Sequence, residues 1–302
     1  MKLAIPDLIS NSYFPALAAA ELGYFEREGL DVTAELIFPV DRAYEALRDS
    51  AVDFVGGAAH GALAAFTEWR GVKLIGALSQ GMYWFLVMRR ELGIARGDLA
   101  ALKGKRIGAA PWVEMGLRGL LTAAGLEPRR NDIRIGPVPG ATGASINFGL
   151  TAAQALQRGE IDGFWANGMA TEIAVTGGFG TIVLDVRRGD GPPGCVDYTM
   201  PVLAMRNPHE DHSRDIAARA YRALVATQNA LKADRSLAAE VGNKRFPPHE
   251  AALIAGIVAR DLPFYTPEIS EHSFNAINDF AWHMSILDEG LPYSDVVWCG
   301  ER

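Results

Sequence analysis

The chain has 302 residues, of which 49% are hydrophobic and 22% charged, enough for one large or two ordinary globular domains with a sizeable core. Its formal net charge is −7, which argues against a nucleic-acid partner because phosphate binding requires clustered Lys and Arg. We interpret the excess negative charge as an aid to solubility.

Strands and helices alternate along the first part of the chain. β-branched and apolar runs predict the strands, and Gly or polar residues mark where helices begin and end. The predicted elements are a strand over 2–7, a helix from the capping residues Asn11 and Ser12 to about Glu28, a strand over 30–39, a helix capped by Asp41 and ending at Leu47, a strand over 52–55, a helix over 60–69 and a strand over 73–78.

A continuous apolar run over 84–88 separates this part from a second block of the same kind. The elements predicted there are a strand over 106–110, a helix over 113–124, a strand over 133–138, a helix over about 146–157, a strand over 162–166, a helix near 169–175 and a strand over 181–186. Strands that alternate with helices in this way predict parallel pairing, with helices on both faces of the sheet.

The last third of the chain is predicted to be helical after one more apolar strand over 199–205. Its helices are predicted over 212–232, 236–241, 249–262 and 270–287. We therefore predict an α/β protein in which residues 1–84 and 207–302 form lobe I, residues 91–197 form lobe II, and 85–90 and 198–206 are hinge crossovers. A ligand is expected in the cleft between the lobes, beyond the carboxyl ends of the strands.

Four segments, in this order, resemble one known family. They are 21–25 (ELGYF) with 28–32 (EGLDV), 46–47 (AL) with 52–54 (VDF), 98–108 (DLAALKGKRIG) and 155–163 (ALQRGEIDG). They are similar to motifs of the nitrate, sulfonate, taurine and thiamine-precursor substrate-binding proteins, and the resemblance covers roughly residues 1–210. It implies the type II periplasmic binding protein fold, with two crossover strands and a helical C-terminal segment.

The resemblance implies the solute-binding component of an ABC-type importer, with a small-molecule ligand and an ABC permease as partners. The alternative is a cytoplasmic enzyme on the same fold, a decarboxylase, dehydratase or desulfinase-like protein acting on an aromatic acid. For an enzyme, the catalytic candidates are His60, Ser12 and Glu114. The two functions predict different compartments: periplasmic or lipid-tethered if a signal peptide was removed, cytoplasmic if Met1 is the native start.

The ligand-binding residues are expected in loops that follow strands. The predicted set is Asn11, Ser12, Tyr13, Asp41, Gly57, His60, Tyr83, Trp84, Trp112, Glu114, Thr142, Trp165 and Asn167. Its many flat rings favour an aromatic or heterocyclic ligand, although the same rings are also typical of core packing. Ser12 is equally explained as a helix cap, and His60 as a cap or a surface histidine.

Three further expectations concern anions, metals and membranes. Trp112 would fill the space where related proteins hold a sulfonate or nitrate, and Glu114 would repel it, so we discount these anions as ligands. Cys195 and Cys299 form no metal-binding motif, and we expect no metal or cofactor. The apolar runs fall short of the roughly 18–20 residues of a membrane span, which predicts no direct membrane insertion.

Overall fold

The polypeptide forms two β-sheets surrounded by helices. The structure is a computed structural model that describes residues 1–141, 147–207 and 211–299. The strands are β1 (Lys2–Ile5), β2 (Thr33–Leu36), β3 (Phe54–Ala58), β4 (Val72–Ala77), β5 (Phe85–Arg89), β6 (Arg106–Ala109), β7 (Arg134–Gly136), β8 (Gly163–Ala166), β9 (Gly180–Asp185) and β10 (Pro201–Arg206). The helices are α1 (Phe14–Glu21), α2 (Tyr24–Arg27), α3 (Val40–Arg48), α4 (Glu114–Ala123), α5 (Phe148–Gln157), α6 (Gly168–Thr176), α7 (Asp211–Ala233), α8 (Ser236–Arg245), α9 (Pro248–Asp261), α10 (Glu271–His283) and α11 (Tyr293–Val296).

Each sheet has five strands within the described residues. The first has the order β2-β1-β3-β10-β4 and the second the order β7-β6-β8-β5-β9. Strands β1, β2 and β3 pair in parallel, as do β6, β7 and β8. Strands β5 and β10 are antiparallel to both neighbours, so the expected parallel pairing does not extend to them. The chain reaches each of these two strands from the other sheet and not through a helical crossover within the same sheet, which is the connection that parallel neighbours need.

The chain passes between the sheets twice. It leaves the first sheet at Ala77 and enters the second at Phe85, then leaves the second at Asp185 and re-enters the first at Pro201. The segments predicted as crossovers therefore consist largely of β5 and β10, and the links between the sheets are the residues just before them, 78–84 and 186–200. The lobe boundaries given above stay a prediction.

Several local predictions were wrong. The single helix expected to run to about Glu28 is two helices, α1 and α2, because Gly23 between them has a left-handed φ of 73°. The helix expected over 60–69 is replaced by two short 3₁₀ helices, Ala59–Ala64 and Thr67–Trp69, because Glu68 and Trp69 have left-handed φ angles of 55° and 60° that end an α-helix. Helix α1 begins after Tyr13 without a side-chain cap, so Asn11 and Ser12 are free for other contacts. Helix α3 begins at Val40, which places Asp41 in its first turn and not at the cap.

The C-terminal helices cover the first sheet and also reach the second half of the molecule. Helix α7 packs against α1, α2 and β4, while α9 packs against α8 and against α6, which follows β8 of the second sheet. The chain returns to the first sheet at Val297, which bridges to Leu74. Within the described ranges, no helix is both long and apolar enough to cross a membrane.

Candidate ligand-binding site

A cavity of about 40 Å³ lies between the two sheets. Loops that follow strands supply most of its walls, because the carboxyl ends of β1, β6 and β8 face this space. The first sheet and the link after it contribute Pro6, Asp7, Ser10, Tyr13, Phe38, Val40, Tyr83 and Trp84; the second sheet contributes Ala110, Pro111, Val113, Phe148, Ala166 and Asn167. Both halves of the chain therefore build the same site.

Aromatic rings form much of the wall. Phe38 from the first half stacks on Phe148 from the second, with ring centroids 6.0 Å apart and planes 18° apart. On another side, Tyr83 lies 4.7 Å from the ring of Trp84 and 5.5 Å from that of Tyr13, measured between centroids. Surfaces of this kind suit a flat ring, since ring pairs prefer offset-stacked or edge-to-face contacts.

The hydroxyl groups of Tyr13 and Tyr83 form a buried pair, with their oxygens 2.5 Å apart. Burial raises the pKa of both phenols, so both stay neutral at physiological pH. In such a pair one hydroxyl donates to the other and keeps its oxygen as an acceptor, while the second hydroxyl is left with a proton to donate elsewhere. The pair is therefore a polar end to an otherwise apolar wall.

Asp7 is the one carboxylate among the described lining residues, and it is only 8% exposed. Its Oδ2 accepts a hydrogen bond from the side-chain amide of Asn167, whereas Oδ1 has no hydrogen-bond partner in the described part of the chain. Burial raises the pKa of Asp7 to about 7, outweighing the nearby backbone N–H of Ile9 and the Asn167 amide, which lower it. This carboxyl can thus be either protonated or ionised near neutral pH.

The orientation of Asn167 fixes how Asp7 is used. Asn167 caps helix α6, and its Oδ1 accepts from the backbone N–H groups of Met169 and Ala170 at 3.0 and 3.3 Å. The amide nitrogen must then point toward Asp7, so Oδ2 of Asp7 is an acceptor. A proton on this carboxyl therefore resides on Oδ1, the oxygen left for a ligand.

Asn11 and Ser12, both predicted to contact ligand, lie behind the cavity wall and join the two halves of the molecule. Oδ1 of Asn11 accepts from the backbone N–H of Gly168 at 3.1 Å, and its amide donates to Asp261. The hydroxyl of Ser12 accepts from Arg187 at 3.3 Å. These bonds explain both side chains without a ligand.

Arg187 is the centre of this buried network. Its guanidinium group pairs with Asp261 at 2.7 Å and donates to Ser79 at 2.7 Å, and its side chain is 2% exposed. Arg188 pairs with the other oxygen of Asp261 at 2.8 Å. The network joins the end of β9, the link after β4 and the end of α9, so it holds the C-terminal helices against the second sheet.

His60, predicted as a ligand contact, is fully buried outside the cavity lining. Its Nε2 is 3.0 Å from the carbonyl oxygen of Trp112 and its Nδ1 is 2.9 Å from the hydroxyl of Thr199. Because a carbonyl only accepts, the proton is on Nε2, and Nδ1 accepts from Thr199. Burial lowers the pKa of His60 to about 4, so the ring is neutral.

Replacing His60 with glutamine is expected to reduce acid lability. In the unfolded chain a histidine titrates near 6.5, so protons favour unfolding as the pH falls from about 6.5 to about 4, and by pH 4 this costs about 3 kcal/mol. Urea unfolding of His60→Gln between pH 7 and pH 4 should show a flatter decline than the parent. The exposed His283→Gln is the control, and a parallel decline in all three proteins would contradict the assignment.

The other predicted residues also differ in their fate. Tyr13, Tyr83, Trp84 and Asn167 line the cavity, and Thr142 lies outside the described residues. Five predicted residues lie outside the lining. Asp41 is in α3, Gly57 packs on Val40 and Tyr44, and the ring of Trp112 lies 6.2 Å from that of His60. Glu114 begins α4 and lies 3.9 Å from Arg118, and Trp165 donates to the carbonyl of Val113. Trp112 therefore does not fill the cleft as expected.

Sequence reasoning missed several lining residues. They are Pro6, Asp7, Ser10, Phe38, Ala110, Pro111, Val113, Phe148 and Ala166. Asp7 was placed at the end of the predicted strand over 2–7, whereas β1 ends at Ile5, so Asp7 lies in the loop where parallel strands present ligand groups. Among the described residues, no group of His, Cys, Asp and Glu is arranged to hold a metal ion.

Comparison with solved structures shows the fold. The alkanesulfonate-binding protein SsuA from Xanthomonas axonopodis pv. citri, bound to MOPS, has a TM-score of 0.72 and 15% identity, over 99% of this chain and 97% of that one. The nitrate-binding protein NrtA from Synechocystis PCC 6803 has a TM-score of 0.60 and 15% identity, over 82% of this chain and 68% of that one. The desulfurization enzyme DszB has a TM-score of 0.59 and 16% identity, over 96% and 94%. These likenesses confirm the two-lobed α/β fold class.

Family membership rests on sequence. No curated protein sequence matches the chain. The model of the protein family described as "NMT1/THI5 like", however, matches residues 10–175, which is more than half of the chain. The match spans the four segments that carried the resemblance, and the chain belongs to the NMT1/THI5-like family.

Proposed function

We propose that the chain is the solute-binding component of an ABC-type importer and holds a small organic ligand with an aromatic or heterocyclic ring. The observation that carries the proposal is the aromatic cavity to which both sheets contribute, including the Phe38–Phe148 stack between them. A ligand that touches both halves favours the closed arrangement, since it gains its full contacts only there. The closed form would then be the state that docks on a permease.

Several features support this proposal. SsuA and NrtA, which share the fold, are described as binding proteins for sulfonate and for nitrate, respectively, and as periplasmic. In the proposed scheme the two sheets are the cores of the lobes, the links 78–84 and 186–200 bend, and the protein works in the periplasm or tethered to a membrane. The partners are the ligand and a permease.

The enzyme alternative shares the support of the fold, since the desulfurization enzyme DszB has it too, but the catalytic candidates named from the sequence do not support it. Ser12 accepts a hydrogen bond from Arg187, which cannot act as a base, and His60 uses both ring nitrogens on Trp112 and Thr199. Glu114 lies outside the cavity lining. Thus the three sequence-predicted candidates are not brought together as a nucleophile and base within the described residues.

The proposal predicts ligand-induced closure that depends on Phe148. A thermal-shift screen over pyrimidines, aromatic amines, aromatic acids and aryl sulfonates would select the ligand, and X-ray scattering should show a smaller radius of gyration when it binds. Phe148→Ala removes half of the stack between the lobes, and we expect about a tenfold or greater loss of affinity for the selected ligand.

The matched control is Phe179→Ala, a phenylalanine of the same half that does not line the cavity. It should keep the parent's affinity. Stabilisation by none of the ring compounds, or an equal loss of affinity in both variants, would contradict the proposal.

A further inference from the structure

We propose that the ligand presents a cationic or N–H-donating group to Asp7 and Ser10, and that this edge selects it over anionic ring compounds. The inference rests on the proposed function and names the chemical class of ligand for the same cavity. It is carried by the two polar side chains of the lining whose oxygen atoms have no hydrogen-bond partner among the described residues, Oδ1 of Asp7 and Oγ of Ser10.

The acceptor offered to the ligand is Oδ1 of Asp7. Because the cap of α6 turns the amide of Asn167 toward Asp7, Oδ2 is occupied and Oδ1 is the free acceptor when the carboxyl is ionised. A buried carboxylate oxygen without a donor is unfavourable, so a donor supplied by the ligand relieves a penalty that exists in the empty site. A charged donor relieves it most, because charge-assisted hydrogen bonds are the stronger ones.

The described lining contains no Lys or Arg. The guanidinium of Arg187 lies 5.6 Å from the ring centroid of Tyr83 and is already paired with Asp261. An anionic ligand would meet the carboxyl of Asp7 without a compensating cation, so the site disfavours carboxylates and sulfonates.

The second polar atom offered to the ligand is Oγ of Ser10. Ser10 is fully buried and lines the cavity, and its hydroxyl can both donate and accept. An amidine or a ring amine has more than one N–H, and its flat ring would lie along the aromatic walls described above. The lining therefore combines an apolar slot for the ring with acceptors for N–H groups.

Three ring compounds of nearly equal shape test the inference: benzamidine, benzamide and benzoate, which carry a positive charge, no charge and a negative charge. Calorimetry and thermal shift at pH 7.5 should give the affinity order benzamidine, benzamide, benzoate. Benzamidine should bind at least about tenfold more tightly than benzoate.

Asp7→Asn should remove this order by lowering benzamidine affinity at least about tenfold while leaving benzamide within about threefold. Ser10→Ala should weaken both donors by a smaller factor. Asp31→Asn, the same change of charge at an exposed position of the same half, is the control and should bind all three compounds as the parent does.

The outcomes separate the two proposals. Benzoate binding as tightly as benzamidine, or Asp7→Asn keeping the parent's preference, overturns this inference while the ring-binding function stands. No binding of any of the three compounds overturns this inference, while the ring-binding function is decided by the wider screen described above. The inference is supported if the affinity falls in the order benzamidine, benzamide, benzoate and if Asp7→Asn removes this order while Asp31→Asn keeps it.

Discussion

Asp261→Asn should lower the free energy of unfolding by about 3–5 kcal/mol, the typical cost of removing one partner of a buried ion pair. The change leaves the guanidinium of Arg187, 2% exposed, without the carboxylate that lies 2.7 Å from it. Arg187, Arg188 and Asn11, which share the two oxygens of this carboxylate, are left with the single carbonyl oxygen of asparagine. Urea unfolding at pH 7 measures the difference directly.

The control for this prediction is Glu45→Gln, which breaks the ion pair with Arg42 on the surface of α3. Exposed pairs of this kind contribute about 0–1 kcal/mol, so the control should unfold almost as the parent does. Combining Asp261→Asn with Arg187→Met should recover part of the loss, because no unpaired charge then stays buried. Equal effects of Asp261→Asn and Glu45→Gln would show that the buried network does not stabilise the folded protein.

Asp7→Asn should make the protein more stable at alkaline pH, by about 4 kcal/mol at pH 8.5. Asp7 titrates near 7 in the folded protein, against 3.8 as the ordinary value, so the folded state binds the extra proton between these limits. The folded protein therefore loses stability as the pH rises from about 4 through 7. Asparagine has no such cost and can still accept from Asn167 through its own Oδ1.

The measurement is urea unfolding of parent and variant at intervals from pH 4.5 to 8.5. The gain in Asp7→Asn should shrink toward zero at the acid end, and the exposed Asp31→Asn is the control for the change of charge. A pH-independent difference for Asp7→Asn would mean that Asp7 does not titrate near neutrality. Stability gained at the expense of binding would identify Asp7 as a functional group that the fold keeps at a cost.

The periodicity of the sequence predicted the alternation of strands and helices, and the rule that ligands lie beyond strand ends found Tyr13, Tyr83, Trp84 and Asn167. The fates of Asn11 and His60 could not be predicted in this way. Asn11 bonds to Gly168 and His60 to the carbonyl of Trp112, and both contacts depend on how the two halves of the chain meet. No local pattern encodes that orientation.

The cavity is still expected to disfavour anions, but through other residues than the sequence indicated. Trp112 and Glu114 were expected to keep sulfonates out, yet neither lines the cavity. Trp112 has a left-handed φ of 67° and its ring packs beside His60, which a sequence pattern could not predict. In the proposal above it is Asp7 that disfavours anions, because it is the one carboxylate among the described lining residues and its Oδ1 has no partner among them.

Trp84 in the cavity wall has a spectroscopic consequence. It is one of six tryptophans, and a ring bound in the cavity would quench its indole, whereas Trp282 is 62% exposed and does not line the cavity. Trp282 would therefore respond to iodide in solution, while Trp84 is shielded. The protein thus carries an intrinsic fluorescent reporter of occupancy, with an internal reference, that needs no label.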